Sequence, residues 1–150
     1  MDHDDLPRAT PSTQALLEQL FQFDSFYEFN KVATYHLPSL PDYLSLLLKQ
    51  KGMVREQVIK RAELDRNYGH QVFQGIRTPS RDKVIQLAFG FGLSYEETQK
   101  LLKIAQKSPL YPKIERDAAI VFILNQKKTI MDLQALLYDL ELPLLGESHT

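Results

Sequence analysis

Apolar residues recur along most of this chain at the three-to-four spacing of amphipathic helices. Leu16, Leu17, Leu20 and Phe21 form one stripe, and Phe26, Tyr27 and Phe29 continue the pattern. The stretch HLPSLPD (36–42) breaks it with two prolines and sets the next helix start at Asp42. DYLSLLLKQKG then ends at Gly52, a C-cap. REQVIKRAEL (55–64) reads as a short second helix, and Asp65 as an N-cap for RNYGHQVFQ (66–74), which Gly75 closes. Ser80 or Thr78 caps RDKVIQLAFGFG, and Ser94 with Glu97 makes a capping box for YEETQKLLKIA. The linker SPLYP (108–112) leads into two further helical segments. The fold class expected is therefore all-α. Its parts are a mobile tail (1–13), an N-terminal helical extension (14–41), a five-helix domain (42–107) and a C-terminal helical hairpin packed on that domain (108–150).

The last two parts share a pattern. Residues 80–105 align without gaps on 115–140, 35 positions later. Arg81/Arg116, Asp82/Asp117, Ile85/Ile120, Gln99/Gln134, Leu101/Leu136 and Leu102/Leu137 are identical pairs. The physical reading is a second helical hairpin stacked on the first over a shared apolar face. The alternative is coincidence between two amphipathic patterns written in few letters.

Charge adds a direction. The net charge of −1 over 150 residues conceals an asymmetry: −4 for 1–41, +5 for 42–107 and −2 for 108–150. A basic middle between acidic flanks points to a local polyanion-binding surface, although five charges on a small domain are also ordinary solvation. The chain has no cysteine, which removes disulfides, zinc ribbons and thiol chemistry and fits a reducing compartment. The start MDHDDLPRATPST is acidic and polar, unlike a signal peptide, and no apolar run approaches a membrane span. A soluble, cytoplasmic protein is expected.

Within 43–105, KGMVREQVIKRAELDRNYGHQVFQGIRTPS has the layout of a helix-turn-helix reader, two short helices joined by a tight turn. This stretch resembles the phage-repressor and Cro-like (XRE) helix-turn-helix family, and a divergent bacterial subgroup of it with R-x-Y-G-x-Q-x-F-x-G in the third helix. Lys51–Gly52, Arg66, Gly75, Arg77 and Pro79–Ser80 stand where the family has equivalent residues. The departures are Val54 and Arg55 for the Ser and Gln that open the second helix, Glu63 for the turn glycine, and Gly69 for a buried aliphatic. The resemblance implies a transcriptional regulator that binds double-stranded DNA through residues 66–74.

The candidate contacts follow from that placement. Arg66 could fork onto guanine, and Asn67 or Gln71 could pair with adenine. Tyr68, His70 and Gln74 share the segment, with Tyr68 half in the core. Lys49, Arg55, Arg77 and Arg81 are expected to neutralise phosphates around the site. One short helix buries little surface, so such readers usually work as symmetric pairs, and a homodimer is expected. The aromatics Phe21, Phe23, Phe26, Tyr27 and Phe29 are candidates for that interface or for a protein partner, against the alternative of packing within the chain. Other chemistry lacks a pattern. Phe89-Gly90-Phe91-Gly92 ends a helix and lacks the third glycine of a nucleotide loop. His3, His36, His70 and His149 are not at ligand spacing, and no G-x-S-x-G occurs. No catalytic residue, metal or cofactor is expected. The competing reading is a protein-interaction adaptor that kept the scaffold and lost DNA affinity, argued from Gly69, Val54 and the acidic flanks.

Overall fold

The computed structural model describes residues 12–33 and 37–146, all helix, turn or loop with no strand among them. The fold class is all-α. The chain divides into two compact units, 1–38 and 39–150.

In the first unit, α1 (Thr13–Gln22) and α2 (Phe26–Val32) are joined by a short break. Ser12 caps α1 by accepting from the Ala15 N–H, so the helix begins inside the segment expected to be tail. Residues 1–11 of that segment lie outside the described ones, as do 34–36. Phe29 is buried, with the rings of Phe23 and Phe26 at 5.6 and 6.0 Å, whereas Phe21, Phe23, Phe26 and Tyr27 are all exposed.

The second unit holds α3 (Leu40–Lys51), α4 (Arg55–Arg61), α5 (Arg66–Gln74), α6 (Arg81–Phe91), α7 (Tyr95–Ile104), α8 (Glu115–Asn125) and α9 (Ile130–Asp139). Helix α3 starts two residues before Asp42, because Ser39 supplies the cap and Pro41 is tolerated in the first turn, where no N–H is needed. Gly52, Gly75 and Gly92 close α3, α5 and α6 in the left-handed region. Ser80 caps α6, and Ser94 with Glu97 completes a capping box on α7. Helix α4 ends at Arg61, short of the expected Leu64, because Glu63 takes a positive φ of 56° and turns the chain.

One hydrophobic cluster runs through α3–α9, from Tyr43, Leu44 and Leu47 to Leu133, Leu137 and Leu145. Helix α4 is held in it between two glycines. A Cβ on Gly90 of α6 would stand 2.5 Å from the Val58 carbonyl oxygen, and one on Gly69 of α5 would stand 2.7 Å from Ile59 Cγ1. The Gln86 side-chain amide donates to the Ala62 carbonyl at the end of α4, 2.9 Å away. Lys51 at the end of α3 reaches Glu97 of α7 at 2.9 Å. Burial raises the Glu97 carboxyl, but hydrogen bonds from Lys51 and Ser94 outweigh it and hold the group below its ordinary value.

The 35-residue repeat has a physical basis in two crossed ion pairs. Arg81 donates to both oxygens of Asp117, at 3.1 and 2.9 Å, and to the Ser108 and Pro109 carbonyls. Arg116 does the same to Asp82, at 3.0 and 2.9 Å, and to the Pro143 and Leu144 carbonyls. Each aspartate also accepts one backbone N–H, Asp117 from Tyr111 and Asp82 from Gly146. Gln99 and Gln134 each clamp one residue through its N–H and C=O, Leu110 and Leu145 respectively. Each of these partners is matched 35 positions later, with the aspartates exchanged between hairpins. The backbone follows the same register: Gly92 and Lys127 both have positive φ, as do Gln106 and Glu141.

Asp82 and Asp117 are buried, so each carboxylate depends on its arginine. Removing one member of such a pair leaves an uncompensated buried charge and costs about 3–5 kcal/mol, while replacing both can be nearly neutral. Arg81→Met alone and Asp117→Leu alone should each lower stability by that amount. The double variant should lose less than the sum by at least about 1 kcal/mol. Urea unfolding of the full chain reads both quantities, and strictly additive losses would remove the pair from the account.

Candidate nucleic-acid interface

Helices α4 and α5 are joined by the four residues 62–65. Ala62 and Leu64 are buried in this turn, which fixes the entry to α5, and Asp65 caps α5 by accepting from the Tyr68 N–H at 3.0 Å. Gly69, Val72 and Phe73 face inward. The opposite face carries Arg66, Asn67 and Gln74, all exposed, with His70 and Gln71 half-buried beside them. The polar stripe expected from the sequence is therefore an outward surface of one helix.

Gly69 is a packing residue. Its missing Cβ is replaced by the Ile59 side chain, three of whose carbons lie within 3 Å of where that atom would be. The space that a side chain at this position would fill is taken by Ile59 of α4.

Around this face the other candidates separate. The Arg55 guanidinium lies 5.5 Å from the centre of the Phe73 ring and is half-buried, a cation–π contact that fixes its stem at the edge of the surface. Tyr68 is half-buried under Lys83, whose ammonium is 5.9 Å from the ring. Burial pushes the Tyr68 hydroxyl up, and the nearby Arg77 charge opposes this. Arg77 itself is exposed just beyond α5. Lys49 is exposed in the last turn of α3, and no described hydrogen bond or ion pair joins it to α5.

Arg81 is the correction. It was expected at phosphates, yet four hydrogen bonds to Asp117, Ser108 and Pro109 occupy its guanidinium. A planar fork already matched to a buried carboxylate is committed to the core. Lys83, two positions later, instead stands over the Tyr68 ring, with Arg77 also nearby.

Glu56 joins this face without any sequence pattern that singles it out. In the first turn of α4, its Oε2 accepts from Arg66 Nη2 at 2.8 Å and lies 3.9 Å from His70 Nε2. The Arg66 hydrogen bond and charge hold this carboxyl below its ordinary value. Ten residues separate Glu56 from Arg66, so no helical spacing betrays the pair; only the fold-back of α5 over α4 brings it together.

Among the described residues no group of His, Asp and Glu side chains could hold a metal ion, and no helix is long and apolar enough to cross a membrane. Comparison with protein-family models, with curated proteins and with solved structures finds no match to this chain.

The Gly69 geometry gives a sign-reversing test. In the native background Gly69→Ala should destabilise by about 1–3 kcal/mol, because overpacking against Ile59 exceeds the alanine's helix gain. In an Ile59→Ala background the same change should stabilise by about 1 kcal/mol. Thermal melts of the four proteins check it; a Gly69→Ala loss that persists in the Ile59→Ala background would contradict the contact.

Proposed function

We propose that this chain is a sequence-specific DNA-binding regulator that reads the major groove with α5 and braces it with α4. The observation that carries this reading is the composition of the α5 face. Arg66, Asn67, Gln71 and Gln74 are the side chains able to make paired hydrogen bonds to guanine or adenine edges, and they project from a helix whose other face is core. A short helix, a four-residue turn and a second helix match the layout of helix-turn-helix readers. The resemblance to the XRE family supports the same reading, and the net charge of +5 over 42–107 suits a polyanion. Arg55, Arg77 and Lys83 are the phosphate-contacting candidates, with Lys49 further along α3. Operator binding at useful affinity calls for a symmetric pair of chains, and Phe21, Phe23, Phe26 and Tyr27, exposed in the first unit, are aromatic side chains available for that contact or for another protein partner.

A second reading is a protein-interaction adaptor on the same scaffold. It is favoured by Val54, at the start of α4, and Ile76, just beyond α5, which are exposed at 65% and 66%. A duplex backbone offers such side chains little, whereas an apolar partner would cover them. Gly69 no longer argues for it, since Ile59 accounts for that glycine.

Arg66→Ala and Gln71→Ala should each weaken a selected cognate duplex by about 1–3 kcal/mol and change binding to unrelated duplexes less. Arg77→Ala should weaken all duplexes alike and reduce the salt slope by about one unit. Fluorescence titrations at several salt concentrations measure both effects, with circular dichroism confirming the fold of each variant. If all three variants bind every duplex as the parent does, the adaptor reading replaces this one.

A further inference from the structure

We infer that Glu56 and Arg66 act as one unit that reads a single G·C base pair in the major groove. The inference rests on the DNA-binding reading above and adds the identity of the base pair. The two side chains lie at the start of α4 and the start of α5, and both are largely exposed, at 61% and 74%. Their single contact, Arg66 Nη2 to Glu56 Oε2 at 2.8 Å, sets a cationic donor group directly beside an anionic acceptor. Among the described residues, Arg66 Nε and Nη1 and Glu56 Oε1 have no hydrogen-bond partner. The pair therefore presents unused donors next to an unused acceptor.

A G·C pair offers the complement of that arrangement. Guanine shows two acceptors, N7 and O6, and cytosine beside it shows the N4 amino donor. Arginine forks onto guanine, and a carboxylate accepts from cytosine N4. An A·T pair sets adenine's amino group against the guanidinium and thymine's O4 against the carboxylate, a mismatch at both. The carboxylate has a further consequence. It repels phosphate and cancels part of the attraction of Arg66 for any DNA, so sequence-independent binding is weakened while the matched pair keeps its full set of contacts. His70, 3.9 Å from the same carboxylate, is the only other titratable group that an ion-pair contact brings to Glu56 among the described residues.

The test is a panel of duplexes in which each base pair of a selected site is exchanged in turn, titrated with the full-length chain. The parent should show one position at which G·C is preferred about ten-fold over the other pairs. Arg66→Ala and Glu56→Ala should both lose the preference at that same position and keep it elsewhere. Glu56→Gln, which retains an acceptor oxygen without the charge, should keep part of the preference while binding unrelated duplexes several-fold more tightly. If Arg66→Ala abolishes a preference that Glu56→Ala leaves intact, Arg66 reads alone and the paired unit is wrong, although DNA reading stands. If the parent binds no duplex at low salt, both the unit and the function it rests on fall.

Discussion

Two arginine–aspartate forks cross between the hairpins α6–α7 and α8–α9, and the architecture of the second unit depends on them. Each fork buries a carboxylate, and a buried carboxylate is tolerated only when its charge and its lone pairs are satisfied. Here both conditions are met twice over: each aspartate has two guanidinium hydrogen bonds and one from a backbone N–H. The arginines in turn satisfy carbonyls of the extended segments 108–109 and 143–144, which would otherwise be polar backbone lying on an apolar core. Hydrophobic burial supplies most of the stability, but it does not choose a register. The forks do, because a hairpin displaced by one turn would strand two charges.

That lock has a consequence for the rest of the unit. With α6 tied to α8 by the forks, its other side is a platform for α4, which Gly90 allows to approach within backbone contact. Helix α5 closes on α4 through Gly69 and Ile59. A helix of seven residues has little intrinsic stability in water, so α4 exists because both neighbours are rigid. The polar face of α5 is thereby presented by a layered support, from the forks through α6 and α4, and its side chains project from a backbone that has few ways to move. Such preorganisation is what a reading surface needs, since side chains fixed before binding lose less entropy on contact.

The helices were legible because their signals are local. Asp65, Gly75, Ser94 with Glu97, and Gly92 stop and start helices through bonds within four residues, and periodicity sorts inward from outward side chains over the same range. Ser39 escaped because Pro41 reads as a breaker, although the first turn accommodates it. What could not be read were pairings across the fold. Glu56 meets Arg66 only after the chain turns at Glu63, and nothing in either residue's neighbourhood announces the other. Arg81 is the instructive error. As a lone cation at a helix start it resembles a phosphate contact, but Arg-Asp recurs at 116–117 together with Gln99 and Gln134. Apolar repeats recur wherever helices are amphipathic, whereas an arginine beside an aspartate twice at one interval signals charges that answer each other.

The proposed function stands on one surface, the outward face of α5 with the beginning of α4. On this reading its polar side chains are the ones that meet base edges, and Arg55, Arg77 and Lys83 are the phosphate contacts beside them. The most direct measurement is a titration of isotope-labelled full-length chain with duplex DNA, followed by amide chemical shifts residue by residue. The account predicts perturbations concentrated at Arg55–Glu56, along 66–74 and at Arg77, fading as salt is raised, with α8 and α9 unchanged. Shifts absent throughout at low salt, or gathered on α8 and α9 instead, would contradict it.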